Sequence, residues 1–132
     1  MSFIAFNKTT EPLATDDLLV NPRAVLYVEA SRPDLVGQTT IHLLGQSEVV
    51  NAVEETAGAV VSRLGGLVAA QRHYLAAPPP EGPSTVYIAP LNVSYVRPNL
   101  PSAPDFWVVR FVDGSELRVL APLPDGLGRK TL

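Results

Sequence analysis

The stretch VYIAPLNVSYVRP at residues 86–98 decides how the chain is read, because LLVNPRAVLYVEA at residues 18–30 carries the same pattern 68 positions earlier. Extending the comparison to residues 18–50 against 86–118 needs no gap. It pairs Pro22 with Pro90, Val25 with Val93, Tyr27 with Tyr95, Val28 with Val96, Pro33 with Pro101, Ser47 with Ser115 and Glu48 with Glu116. Unrelated segments of this length share only about two residues at ordinary amino-acid frequencies. Apolar character matches as well: Val20 aligns with Ile88, Ile41 with Val109, Leu43 with Phe111 and Val49 with Leu117. The chain therefore contains a duplicated unit, and both copies are expected to share one fold.

Each copy reads as a small antiparallel meander. In the first, Leu18 to Val20 is a short apolar strand, and Asn21-Pro22-Arg23 signals a turn, since proline presets its own φ and has no amide hydrogen for a ladder. Val25 to Glu29 is the next strand. Thr39 to Leu44 alternates, with Ile41 and Leu43 on one face and Thr40 and His42 on the other. Gly45-Gln46 then turns the chain into a strand over Glu48 to Asn51. The second copy has Asp113-Gly114 at the corresponding turn; glycine first suits a type II′ hairpin, and Asp-Gly suits type I′.

Beyond the meanders the two copies diverge. Val53, Ala57, Val60, Val61, Leu64 and Val68 recur at three- and four-residue intervals, which predicts an amphipathic helix with Glu54 and Glu55 in its first turn, bent or interrupted at Gly65-Gly66. In the second copy Pro122 and Pro124 exclude a helix. The expected organisation is a first meander plus helix over 1–76, a stiff proline-rich linker over 77–85, and a second meander with an extended arm over 86–132. The fold class is mainly β (α+β), a tandem duplication of a three- to four-stranded meander with one helix after the first copy.

Composition limits the function classes. A chain of 132 residues with 46% hydrophobic and 17% charged residues can bury a core. A net charge of −3 gives no general attraction to nucleic acid or anionic lipid. Cysteine is absent, which removes disulfides, thiolate metal sites and cysteine nucleophiles. The opening MSFIAFNKTTEP lacks the basic start and long apolar stretch of a signal peptide, so a soluble, non-exported chain is expected, cytoplasmic or built into an assembly.

Catalytic chemistry is sparse. Neither His42 nor His73 stands in a metal-ligand spacing; His42 reads as a solvent-facing strand position aligned with Arg110, and His73 as a cation near a helix end. Adjacent Asp16 and Asp17 point to opposite faces of a strand and lack partner ligands. No nucleophile elbow, phosphate-binding loop or dinucleotide fingerprint is present. Neither a cofactor nor a metal is expected, and no enzyme activity.

A surface is more promising. Tyr95, Arg97, Arg110, Arg118 and Trp107 all belong to the second copy. Alternation places Trp107, Val109 and Phe111 on one face and Val108, Arg110 and Val112 on the other, so the arginines do not share a face with Trp107.

The order of the first copy, strand, Asn-Pro turn, strand ending Val28-Glu29, hairpin, then a helix beginning Val53-Glu54-Glu55, resembles the short bacterial flagellar proteins of the FlbD type. The resemblance covers residues 13–64, with an echo at 86–120, and implies a role in flagellar assembly or its regulation. The bent sheet with a nearby helix is also similar to Sm-like small barrels, which implies ring assembly or RNA binding. Because one helix serves two sheets, the second sheet is one cover short, and its apolar face is expected to pack on the first copy, on the helix of a neighbouring subunit or on a larger assembly. The sequence expectation is therefore a non-enzymatic structural or assembly protein, such as a phage virion decoration or connector component. It would contact a protein partner or its own copies through strand edges and the five surface residues Tyr95, Arg97, Trp107, Arg110 and Arg118. Nucleic acid, membrane and small-molecule substrate are not expected as partners. The alternative is a small-barrel nucleic-acid-binding regulator.

Overall fold

A computed structural model describes residues 3–7, 17–30, 39–45, 52–53, 55–73 and 84–128. In chain order the strands are β1 (Ile4–Asn7), β2 (Asp17–Val20), β3 (Val25–Ala30), β4 (Thr39–Leu43), β5 (Ala52–Val53), β6 (Val68–Gln71), β7 (Thr85–Ile88), β8 (Val93–Pro98), β9 (Phe106–Phe111) and β10 (Glu116–Leu120). Helix α1 (Ala57–Leu64) lies between β5 and β6, and a single turn of helix, α2 (Asp125–Gly128), comes after β10. The mainly β character read from the sequence is the observed one.

The repeated proline does the same work in both copies. Pro22–Ala24 and Pro90–Asn92 each form one 3₁₀ turn, where the fixed φ of proline suits the first position and its missing N–H costs nothing. Asn21 caps the first turn by accepting from the Arg23 N–H at 3.0 Å; Ala89 offers no equivalent. Each turn runs into a strand whose register is preserved by the 68-residue shift. Val25 faces Leu43 as Val93 faces Phe111, Tyr27 faces His42 as Tyr95 faces Arg110, and both ladders are irregular between those pairs. The duplication is thus carried down to a shared bulge.

The copies part company at their first strands. β2 pairs with β1, whereas β7 pairs with β6 on one side and with β3 of the first copy on the other. The central sheet, in the order β5-β4-β3-β7-β6, therefore contains strands of both copies, and β10-β9-β8 form a second, three-stranded sheet joined to it by one antiparallel bridge between Arg72, just after β6, and Val119 of β10. Both faces of the central sheet are buried. Val25, Val28 and Ile41 pack with Phe6, Val20 and Val60 on one side; Leu26, Val86 and Ile88 pack with Val109, Phe111 and Val119 on the other. Each such side chain contributes about 1.5–3 kcal/mol when taken out of water. Of the covers expected for the apolar face of the second sheet, the one found is the first copy: Val109, Phe111, Leu117 and Val119 pack with Leu26, Val86 and Ile88 of the central sheet.

Three local expectations are corrected. Helix α1 is shorter than expected: Val53 belongs to β5 and Glu55 precedes the Thr56 cap, and of the two outcomes expected at Gly65-Gly66 interruption is the one found, the helix ending at Leu64 where the two glycines adopt φ of 74° and 69°. The residues beyond it become β6, drawn out by pairing with β7. Around Asp113-Gly114, Phe111 accepts from the Gly114 N–H and donates to the Ser115 carbonyl, each at 2.9 Å, and only Gly114 has positive φ. That is a longer loop with glycine at the left-handed position, not type I′, which needs positive φ at both central residues. The prolines do exclude helix up to Pro124, but α2 begins just after; a Cβ at Gly126 would meet Val68 at 2.5 Å. Gln46, Glu54, the strand expected over Glu48–Asn51, and residues 77–83 of the linker lie outside the described residues. Among the described residues no helix is long and apolar enough to cross a membrane.

Side chains tie the copies together. The buried Asn92 amide donates to the Arg23 and Val25 carbonyls at 2.7 and 2.8 Å, and the Asp113 carboxylate accepts from the Gly45 N–H at 2.9 Å. Glu29 receives Arg72 at 2.7 Å and the Ser84 hydroxyl at 2.5 Å. Above Glu29, the Tyr27 ring is stacked between His42, 4.0 Å away, and Phe111, 5.7 Å away. Burial pushes the Tyr27 phenol up to about 12, the Arg72 charge opposing and the Glu29 charge adding. Burial lowers the His42 pKa, against the pull of Glu29 and with the help of Arg72.

Replacing Asn92 with Ala leaves two carbonyls without their donor and is expected to cost about 2–3 kcal/mol in urea unfolding; an unchanged midpoint would remove Asn92 as a tie between the copies. The depressed His42 pKa means the folded state binds fewer protons than the unfolded state below about pH 6.5. Stability should therefore fall as pH drops through that value, and His42→Gln should flatten the acid limb of a melting-temperature profile. At the alkaline end the unfolded phenol ionises near its ordinary value of 10.0 and the folded one near 12. Stability should decline across that window, with one tyrosine absorbing late at about 295 nm, the phenolate band expected for a group titrating above the ordinary tyrosine range.

Candidate nucleic-acid interface

Strand β9 sorts its residues between two environments. Trp107, Val109 and Phe111 alternate with Phe106, Val108 and Arg110, and the first set packs on the core shared with the central sheet. The antiparallel registers then fix which neighbours share the outer face. Tyr95, Arg110 and Glu116 form one row across β8, β9 and β10; Arg97, Val108 and Arg118 form the next; Phe106 and Leu120 form a third. Rows two residues apart are about 7 Å from one another along the strand and neighbouring strands about 4.8 Å apart.

Of the five residues singled out in the sequence, Tyr95, Arg97, Arg110 and Arg118 are therefore brought together on one face. Trp107 is not; it lies on the opposite face, partly buried. Tyr95 is 46% exposed, which leaves its ring and hydroxyl open to a partner. Val108, between Arg97 and Arg118 in the same row, is only 4% exposed although it stands on the outer face.

The charge on this face is positive. Arg110 donates to Glu116 at 2.7 Å, whereas Arg97 and Arg118 have no carboxylate partner among the described residues. The Arg110 hydrogen bond, joined by the Arg110, Arg97 and Arg118 charges, holds the Glu116 carboxyl below its usual range. Three guanidinium groups against one carboxylate leave a local excess of cations within an acidic chain. Sequence reasoning missed Glu116 as the counter-ion, although its repeat partner Glu48 and the hairpin pairing placed it opposite Arg110.

The other residues weighed in the sequence lie elsewhere. His73, expected near a helix end, comes after β6 instead, donates its backbone N–H to Arg118 at 2.9 Å and stacks on Phe106 at 4.2 Å. Its Nδ1 is buried without a hydrogen-bond partner among the described residues. His42, expected to face solvent, is stacked on Tyr27 at the central sheet. Asp17 is the last pair of the β1–β2 ladder, opposite Asn7, and Asp16 lies outside the described residues. Among the described residues no group of three His, Asp or Glu side chains is placed to hold a metal ion.

No protein-family model matches the chain, and no curated relative is found. Among solved structures, the chain is similar to the LytTr DNA-binding domain of a Bacillus cereus protein described as a putative methyl-accepting/DNA response regulator. The TM-score is 0.56 at 13% identity, over 91% of this chain and 87% of that one. At that identity the likeness concerns the fold. It corrects two expectations: that the chain is a structural assembly or virion component, and that nucleic acid is no partner. A similar fold serves as a DNA-binding domain in that protein, and the apolar face of the second sheet packs on the first copy, so it offers no surface to an assembly partner.

Proposed function

We propose that this chain is a DNA-binding regulatory domain, acting without catalysis, that sets the outer face of the β8–β9–β10 sheet against the phosphate backbone. The observation that carries this reading is the convergence of Arg97, Arg110 and Arg118 around Tyr95 on one exposed face. The likeness to a LytTr DNA-binding domain supports it. Guanidinium forks match phosphate oxygens bidentately, and a tyrosine hydroxyl can donate to a phosphate or sugar. The net charge of −3 repels a polyanion at long range, so attraction must act within a screening length of about 8–10 Å. Arg97 and Arg118, which have no carboxylate partner among the described residues, are placed to act first; Arg110 becomes available to the extent that Glu116 releases it.

The test is duplex binding by fluorescence anisotropy across a salt series. Arg97→Glu with Arg118→Glu should weaken binding at least about tenfold at low salt and reduce the slope of log K against log salt by about 2, since each phosphate contact contributes about 0.9. Glu116→Gln, which frees Arg110, should tighten it. An unchanged slope in the double variant, with its circular dichroism spectrum intact, would move the interface off this face.

A further inference from the structure

A cleft of about 290 Å³ opens between the central sheet and the start of β10. Leu26 and Leu43 supply apolar wall, while Tyr27, His42, Arg72 and Glu116 supply polar groups. We propose that this cleft binds a small, uncharged, planar aromatic molecule bearing one hydrogen-bonding group.

A volume near 290 Å³ stands at the low end of ligand cavities and suits a one- or two-ring molecule. Charge narrows the class further. Arg72 is held by one oxygen of Glu29, the other oxygen of Glu29 is held by Ser84, and Glu116 is held by Arg110. Among the described residues, each of these charges is already matched, so an anion or a cation entering a half-buried site would have to break a pair or remain unpaired. The polar groups left over are neutral. The Tyr27 hydroxyl makes no hydrogen bond among the described residues, and the His42 Nε2 stands 3.9 Å from Glu29, too far for one.

The stack of rings sets the shape of the ligand. Phe111, Tyr27 and His42 lie nearly parallel, with interplanar angles of 16° and 13°, and His42 ends the series while lining the cleft. A further ring placed on His42 extends the stack at the offset aromatic pairs prefer. The duplication sharpens the contrast: the equivalent pair on the outer face is Tyr95 with Arg110, where a permanent cation suits phosphate. The first copy keeps the tyrosine and substitutes an imidazole, whose neutral form burial favours.

The deciding experiment is a ¹H–¹⁵N NMR titration of the chain at about pH 7.5, where an imidazole of lowered pKa is neutral, with phenol, benzoate and benzylamine, three single rings that differ in charge. Phenol is expected to give saturable shifts at the amides of Tyr27, His42 and Glu116, and to bind at least about fivefold tighter than either charged ring, the penalty of an unpaired charge in a half-buried site. Equal or tighter binding of benzoate or benzylamine would overturn the charge assignment, and no saturable shift with any ring would overturn the site. His42→Ala should abolish the phenol shifts. If that variant does not fold, Tyr27→Phe, which removes only the hydroxyl, should weaken phenol about tenfold, the loss of one hydrogen bond, and unchanged binding there would equally overturn the proposal.

Discussion

The three backbone pairings between β3 and β7, Tyr27 with Ile88, Val28 with Tyr87 and Glu29 with Val86, hold the architecture together. They give β3 a partner on both edges and place a strand of the second copy inside the sheet of the first. β6 then has a template in β7, and the chain leaving β7 enters the Pro90 turn close to the Pro22 turn. There the Asn92 amide fixes its course by binding the Arg23 and Val25 carbonyls. Only after that constraint is met can β8 start where Val93 packs on the shared core. The position of Arg97 and Arg118 is a consequence of a pairing made some distance away in the fold.

Much of this was legible in the sequence, for a specific physical reason. Side-chain alternation and proline chemistry are local, and both are printed twice in a duplicated chain, so the turns at Pro22 and Pro90 and the strands after them could be read from comparison of the copies alone. The segregation of Arg110 from Trp107 came from the same alternation. What the sequence did not disclose was nonlocal. The periodicity of Val60, Leu64 and Val68 fits a helix as well as it fits a helix that gives way to a strand, and only the pairing of β6 with β7 decides between them. Likewise, nothing local says that the second copy's first strand joins the first copy's sheet. Packing of the second sheet on the first copy was therefore only one of three covers left open, and the local pattern could not choose among them.

Duplication also explains how one motif serves two environments. The register that puts Tyr27 against His42 puts Tyr95 against Arg110, and the bulge beside each pair is the same. The surroundings differ because β3 lies between two layers and β8 is at the edge of the outer sheet. In the inner copy burial acts on both partners, raising the tyrosine pKa and lowering that of the histidine. In the outer copy the tyrosine is exposed and the cation is paired to a carboxylate across the hairpin. A half-buried strand position tolerates an imidazole that can shed its charge, whereas a guanidinium there would need a permanent partner.

An acidic chain can still present a face to a polyanion, because net charge governs only the field far from the surface, and at physiological salt that field decays within about 8 Å. Close to the sheet the groups that matter are those in the two rows around Val108, where three arginines meet one glutamate. Glu116 reduces the positive excess while fixing the Arg110 fork in one geometry, so it trades attraction for orientation. Arg97 and Arg118 lack that restraint among the described residues and keep their full charge for a partner. A face of this kind depends on close approach rather than long-range steering, and its contacts are correspondingly sensitive to ionic strength.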